Sequence, residues 1–193
     1  MKLATARLFA LPLLLASAAA HADTVTTLTE DTRKTALPVL PKVVATMQTA
    51  VSEQGPVKAI AVCKDKAPQL LQELRQQTGW KIRRVSLKTR NDTTGTADAW
   101  EARQLADFNI RVANGEKAAT LEVGEIVSDA KGQRSFRYLK ALPVAPVCQS
   151  CHGQPEAMSD ELKAALAKDY PHDRATGYRE GDVRGALSVT RPL

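Results

Sequence analysis

The chain has 193 residues, of which 44% are hydrophobic and 4% aromatic, with 27 lysines and arginines against 21 acids. The net charge of +6 is spread thinly, without a basic block or aromatic interleaving, which argues against a nucleic-acid-binding protein. The length suffices for one domain with a real core, and no stretch is long and apolar enough for a membrane span of roughly 20 residues.

Residues 1–22 read as a cleavable export signal. Lys2 and Arg7 supply the charged start, Leu8 to Ala16 the short apolar core, and Ala20-His21-Ala22 the small-residue cleavage site. Cleavage after Ala22 leaves Asp23 as the mature N-terminus and lowers the charge from +6 to +4, because two bases and no acid depart. The expected location is the periplasm of a Gram-negative bacterium, and no membrane span is expected in the mature chain.

Residues 23–54 form an N-terminal helical segment interrupted at Pro38 and Pro41, and residues 55–193 form the main domain, the two making one globular unit. Gly55-Pro56 opens a second helix, whose apolar face comprises Ile60, Cys63, Ala67, Leu70, Leu71 and Leu74. Pro68 cannot donate to the carbonyl of Lys64, so a kink or restart is expected just after Cys63. Thr78-Gly79 ends this helix, and Trp80 to Lys88 reads as a strand with a bulge near Arg83-Arg84.

Turn chemistry covers Asn91 to Thr96, and Asp98 caps a helix running through Trp100, Leu105, Phe108 and Val112 to Asn114-Gly115. Two strands, 119–128 and 133–142, make a hairpin about Asp129-Ala130-Lys131-Gly132. A proline-bracketed loop follows, then a short helix from Ser159 to Lys168 and a last strand from Gly185 to Thr190. The order implies an α+β domain with a small antiparallel sheet.

The loop carries the chemistry. Cys148-Gln149-Ser150-Cys151-His152 is a C-x-x-C-H sequence, the attachment signature of a c-type haem. Two thiols add across the two vinyl groups, and the adjacent histidine meets the iron as axial ligand. The candidates for the second axial position are Cys63, His172, Met47, Met158, a lysine, or no protein group. With Cys148 and Cys151 used, Cys63 is the odd cysteine of an exported protein. Two other readings use the same residues: a Cys₃His zinc site from Cys63, Cys148, Cys151 and His152, and a dithiol redox pair from Cys148 and Cys151. Arg83, Arg84 and Arg90, with Arg134 and Arg137, are candidate partners for the haem propionates, because guanidinium binds carboxylate in a two-pronged fashion.

Several runs in order carry a resemblance: Ala59-Ile60-Ala61-Val62-Cys63 with Ala67-Pro68, Arg83 to Asn91, Asp98-Ala99-Trp100-Glu101, Cys148 to Gly153, Tyr170 to Asp173, Ala175 to Tyr178, and Gly181 to Ala186. Over roughly residues 55–192 the chain resembles the bacterial and cyanobacterial family of single-haem c-type domains with a PAS-like fold. The resemblance implies a PAS-like antiparallel sheet with N-terminal helices packed beside it. It also implies one covalent haem c on Cys148 and Cys151, ligated by His152 and, on the far face, by the thiolate of Cys63. The function it implies is sensing. A thiolate bond that weakens on reduction would open a position for CO or NO, so redox or small-ligand (CO or NO) sensing is expected, and an iron blocked on both faces argues against enzymatic catalysis. The alternative is a simple periplasmic electron carrier. Because no output module follows within the chain, the expected partner is a separate periplasmic redox or signalling protein. The family's proline- and asparagine-containing turn is replaced here by Asp92-Thr93-Thr94-Gly95-Thr96.

Overall fold

The computed structural model describes residues 12–193, with side chains from residue 24 onward. Residues 1–11 of the expected export signal, and the side chains about its cleavage point, lie outside the described residues. Two long helices come first, α1 (Pro12–Ala36) and α2 (Val39–Thr78). They part at Leu37-Pro38, and Pro41 falls in the first turn of α2, where its missing N–H has no carbonyl to serve. Within α2 the non-helical backbone is at Gly55 (φ 79°, ψ 165°), immediately before Pro56. A residue without Cβ reaches that conformation without strain, and Pro56 then restarts the helix.

The expected break after Cys63 is not there. The helix runs through Pro68 with helical backbone angles. Lys64 and Pro68 both lie on the exposed side, where water can satisfy the carbonyl that Pro68 leaves unbonded.

The sheet has four strands, β1 (Lys81–Val85), β2 (Glu122–Ser128), β3 (Arg134–Pro143) and β4 (Val183–Pro192), in the order β1-β4-β3-β2, and every pairing is antiparallel. This is the antiparallel sheet with N-terminal helices beside it that the sequence implies. β2 and β3 form the expected hairpin, closed where Asp129 accepts from the backbone N–H groups of Lys131 (2.8 Å) and Gln133 (2.9 Å). The 91–96 segment folds as a single helical turn, α3 (Asp92–Gly95), with Asn91 as its cap. β1 is shorter than expected and pairs with β4 in unbroken register, so no bulge occurs at Arg83-Arg84. The irregularity lies at the other end of the sheet: Leu142 pairs with Gly185 and Pro143 with Val183, which leaves Arg184 as the extra residue of a bulge.

Each face of the sheet is covered. Ile82, Phe136, Tyr138, Leu187 and Val189 face α1 and α2 and pack with Ala36, Val39, Val43, Ala67 and Leu71. The opposite face packs Val85, Leu139, Ala141 and Ala186 against Trp100, Leu105 and Phe108 of α4 (Ala99–Ala113). A fully buried side chain of this size contributes about 1.5–3 kcal/mol. α1 is fixed to the sheet by an Arg33–Glu122 ion pair, a hydrogen bond from the Tyr138 hydroxyl to Glu122 (2.6 Å), and an Arg191–Asp31 pair (2.8 Å). It comes so close to β2 that a Cβ on Gly124 would lie 2.6 Å from Thr29 Oγ1.

α4 starts with a capping box: Asp98 accepts from the Glu101 N–H (2.9 Å) and Glu101 from the Asp98 N–H (2.8 Å). The Glu101 side chain, 1% exposed, also accepts from the Ser188 hydroxyl (2.6 Å) and pairs with Arg83 and Arg137.

Candidate cofactor site

β3 ends at Pro143, and the chain then turns through Pro146–Cys148 into a one-turn helix, α5 (Gln149–His152). Tight helical spacing puts Cys148, Cys151 and His152 on one short turn, all half-buried, and no disulfide joins the cysteines. The turn is pinned from behind by the 175–178 loop. Gly177 N–H donates to the Gly153 carbonyl (2.7 Å) and Tyr178 N–H to the His152 carbonyl (3.0 Å). Gly153 is required here, since a Cβ would lie 2.6 Å from the Gln149 carbonyl oxygen.

His152 Nδ1 lies 2.7 Å from the Ala175 carbonyl oxygen. A carbonyl only accepts, so the proton is on Nδ1 and the lone pair on Nε2. Burial, with the Arg184 and Arg90 guanidiniums nearby, holds the imidazole well below its usual pKa and keeps it neutral. A neutral imidazole with its second nitrogen held by a carbonyl has the usual arrangement of a metal-ligating histidine. Nε2 faces Arg184 Nε at 3.4 Å.

α2 brings Cys63 to the same place from the first half of the chain. Burial pushes its thiol up, while Arg84 and Arg90 pull it back toward thiolate and Cys148 opposes them. Cys151 is raised chiefly by burial as well, with Arg90 opposing and Cys63 and Cys148 adding to the rise. The three sulfurs therefore share one electrostatic neighbourhood.

The candidate arginines separate. Adjacent strand residues point to opposite faces. Arg83 therefore lies on the α4 face, bound to Glu101, while Arg84 lies on the α2 face near Cys63 and Cys148. Arg90 reaches the site but is paired with Asp173 (3.0 Å) and donates to the Cys151 carbonyl. Arg137 is bound to Asp98 (2.7 Å), and Arg134 is exposed at the distant end of β3. Of the other ligand candidates, His172 is exposed, Met47 packs on the α1–α2 core, and Met158 is buried with Ile60, Leu162 and Leu166. Among the described residues no three His, Cys, Asp or Glu side chains are grouped to hold a metal ion, which leaves the zinc reading without support.

The family model described as Tll0287-like (Tll0287) matches residues 13–192. The chain belongs to the Tll0287-like family. Among solved structures it is similar to the cyanobacterial haem protein Tll0287, with a TM-score of 0.61 and 22% identity over 81% of this chain and 92% of that one. At this identity the likeness establishes the fold. No curated protein matches the chain. Both findings agree with the family resemblance drawn from the sequence runs.

Sequence reading of this Tll0287-like chain missed one residue of the site, Arg184. Its guanidinium bonds to Ser86 Oγ (3.0 Å), the Lys88 carbonyl (3.2 Å) and His152 Nε2, and lies 5.5 Å from the Tyr178 ring centroid. It stands within the Gly181–Ala186 run quoted for the resemblance, but the bulge that aims it inward is a property of the β3–β4 pairing.

Proposed function

We propose that the chain is a periplasmic monohaem protein of the c type, a binding and redox module rather than an enzyme. On this reading Cys148 and Cys151 carry haem c through thioether bonds, and His152 Nε2 and the Cys63 sulfur are its axial ligands. When bound, the group supplies a one-electron redox centre whose potential follows its ligands. The observation that carries the reading is the state of His152: neutral, fixed through Nδ1 by a backbone carbonyl, its Nε2 lone pair met by only a long contact from Arg184 (3.4 Å), one residue from a thiol pair on the same turn. The convergence of Cys63 on that turn and the relative's description as a haem protein support it.

The role it favours is redox or small-ligand (CO or NO) sensing. Cys63 has a thiol raised by burial and lowered by two guanidiniums, so its proton is sensitive to charge beside it. It sits on the long helix α2, which would carry any movement to a separate periplasmic partner. The rigid pinning of α5 favours the second reading, a simple electron carrier, for which little movement is wanted.

The test is the absorption spectrum of protein matured alongside haem-attachment machinery, followed by the alkaline-pyridine haemochrome. A Soret band with a thioether-type haemochrome is expected. A colourless product overturns the reading. Ligand release on reduction, seen as CO binding to the ferrous form, favours the sensor, and a ferrous form that stays closed to CO favours the carrier.

A further inference from the structure

The arginines that pack against this sheet mostly have carboxylates. Arg33 has Glu122, Arg83 has Glu101, Arg137 has Asp98 and Glu101, and Arg191 has Asp31. Arg184 and Arg84 do not. Every side-chain hydrogen bond of Arg184 goes to a neutral acceptor, and among the described residues the Arg84 side chain has no hydrogen bond or ion pair. Lys88 is similar: its Nζ donates to the Thr176 carbonyl and lies 4.6 Å from the Tyr178 ring centroid.

These cations are also close together. Arg184 experiences the charges of both Arg84 and Arg90, and the nearby acid is Asp173, already paired with Arg90. Half-buried guanidiniums crowded together without matching acids are costly, and proteins ordinarily pair such charges. The bulge at Leu142–Pro143 makes Arg184 the unpaired residue of β4 and turns it toward the C-x-x-C-H turn instead of into the ladder.

We propose that Arg184 and Arg84 are the carboxylate-binding residues of the site, receiving the propionate groups of the porphyrin, while Arg90 serves to hold Asp173 and the Cys151 carbonyl. This rests on the function proposed above and specifies which side chains recognise its ligand. It replaces Arg83 and Arg90 in that role and adds Arg184.

The test uses the mature-length chain produced without haem-attachment machinery and kept reduced. It is titrated with ferric protoporphyrin IX and, separately, with its dimethyl ester, which has the same ring and iron but no carboxylates. The wild type is expected to prefer the diacid by roughly tenfold or more, the scale of one or two charge-assisted hydrogen bonds. Arg184→Gln and Arg84→Gln should each shrink that preference severalfold, with part of it restored by Arg184→Lys. If Arg184→Gln fails to fold, as judged by circular dichroism, Arg84→Gln carries the test, because its guanidinium has no hydrogen bond to lose. Variants that keep the wild-type diacid-to-ester ratio overturn the clamp. Failure of the wild type to bind either porphyrin overturns the haem reading itself, a separate outcome.

Discussion

The Ala175 carbonyl accepts the Nδ1 proton of His152 at 2.7 Å, so a single peptide group sets both the tautomer and the direction of the ring. The preceding peptide of the same residue is held by Asp173, whose carboxylate accepts from the Ala175 N–H (2.8 Å) and pairs with Arg90. Asp173→Asn keeps the side-chain shape and weakens both contacts. It should cost about 1.5–3 kcal/mol, the range for hydrogen bonds to charged groups. Urea unfolding of the chain checks this, and an unchanged midpoint contradicts the assigned role.

Cys63 offers a sharper test in matured protein. A thiolate ligand donates strongly and favours the ferric state. Cys63→Ser should therefore raise the reduction potential and alter the ferric spectrum. If both stay as in the wild type, Cys63 is not a ligand.

Glu101 is ion-paired with both Arg83 and Arg137 and also receives the Ser188 hydroxyl. Glu101→Gln leaves two guanidiniums facing a neutral amide at a site 1% exposed. The expected loss is about 3–5 kcal/mol, as for other broken buried pairs. Chemical denaturation would detect it, and a loss below 1 kcal/mol would mean that the network is hydrated.

Gly185 passes so close to β1 that a methyl group would run into the Val85 carbonyl oxygen. Gly185→Ala must push the strands apart beside the bulge, at a cost of about 1–3 kcal/mol for overpacking. The Tm should fall accordingly, and an unchanged Tm would mean that the β1–β4 contact is looser than described.

Acid should loosen α1 from the sheet. Burial works to raise Glu122, but the hydrogen bonds from Arg33 and Tyr138 outweigh it, and its pKa ends below the usual 4.5. A depressed carboxylate contributes stability that is present above the unfolded-state pKa and lost as pH falls through the native value. The wild-type Tm should fall below pH 4.5, while Glu122→Gln, less stable at neutral pH, should show a shallower fall over that acid range. Parallel Tm profiles for the two proteins would contradict this linkage.

Local signals were enough for the hairpin, for α4 with Asp98 as its cap, and for the α2 face that carries Cys63. Each depends on residues a few positions apart. Pro68 misled because the cost of a helical proline depends on whether the freed carbonyl meets water, which the apolar pattern does not state. The bulge was sought at Arg83-Arg84 because alternation falters there. In the structure both arginines fit the regular ladder, one to each face, and the faltering pattern records two buried faces with a cation on each. Strand alternation alone could have separated Arg84 from Arg83. The inward turn of Arg184 could not be read, since it depends on how β3 and β4 pair across some forty residues.

The contacts that pin His152 have a direction along the chain. Its orienting carbonyl, the N–H groups behind α5, and the guanidinium facing Nε2 all come from residues after it. Without the segment that follows α5, His152 has neither the carbonyl that sets its tautomer nor the guanidinium opposite Nε2. The 175–178 loop closes the back of the turn and sets the tautomer, and β4 then adds the Arg184 guanidinium opposite Nε2.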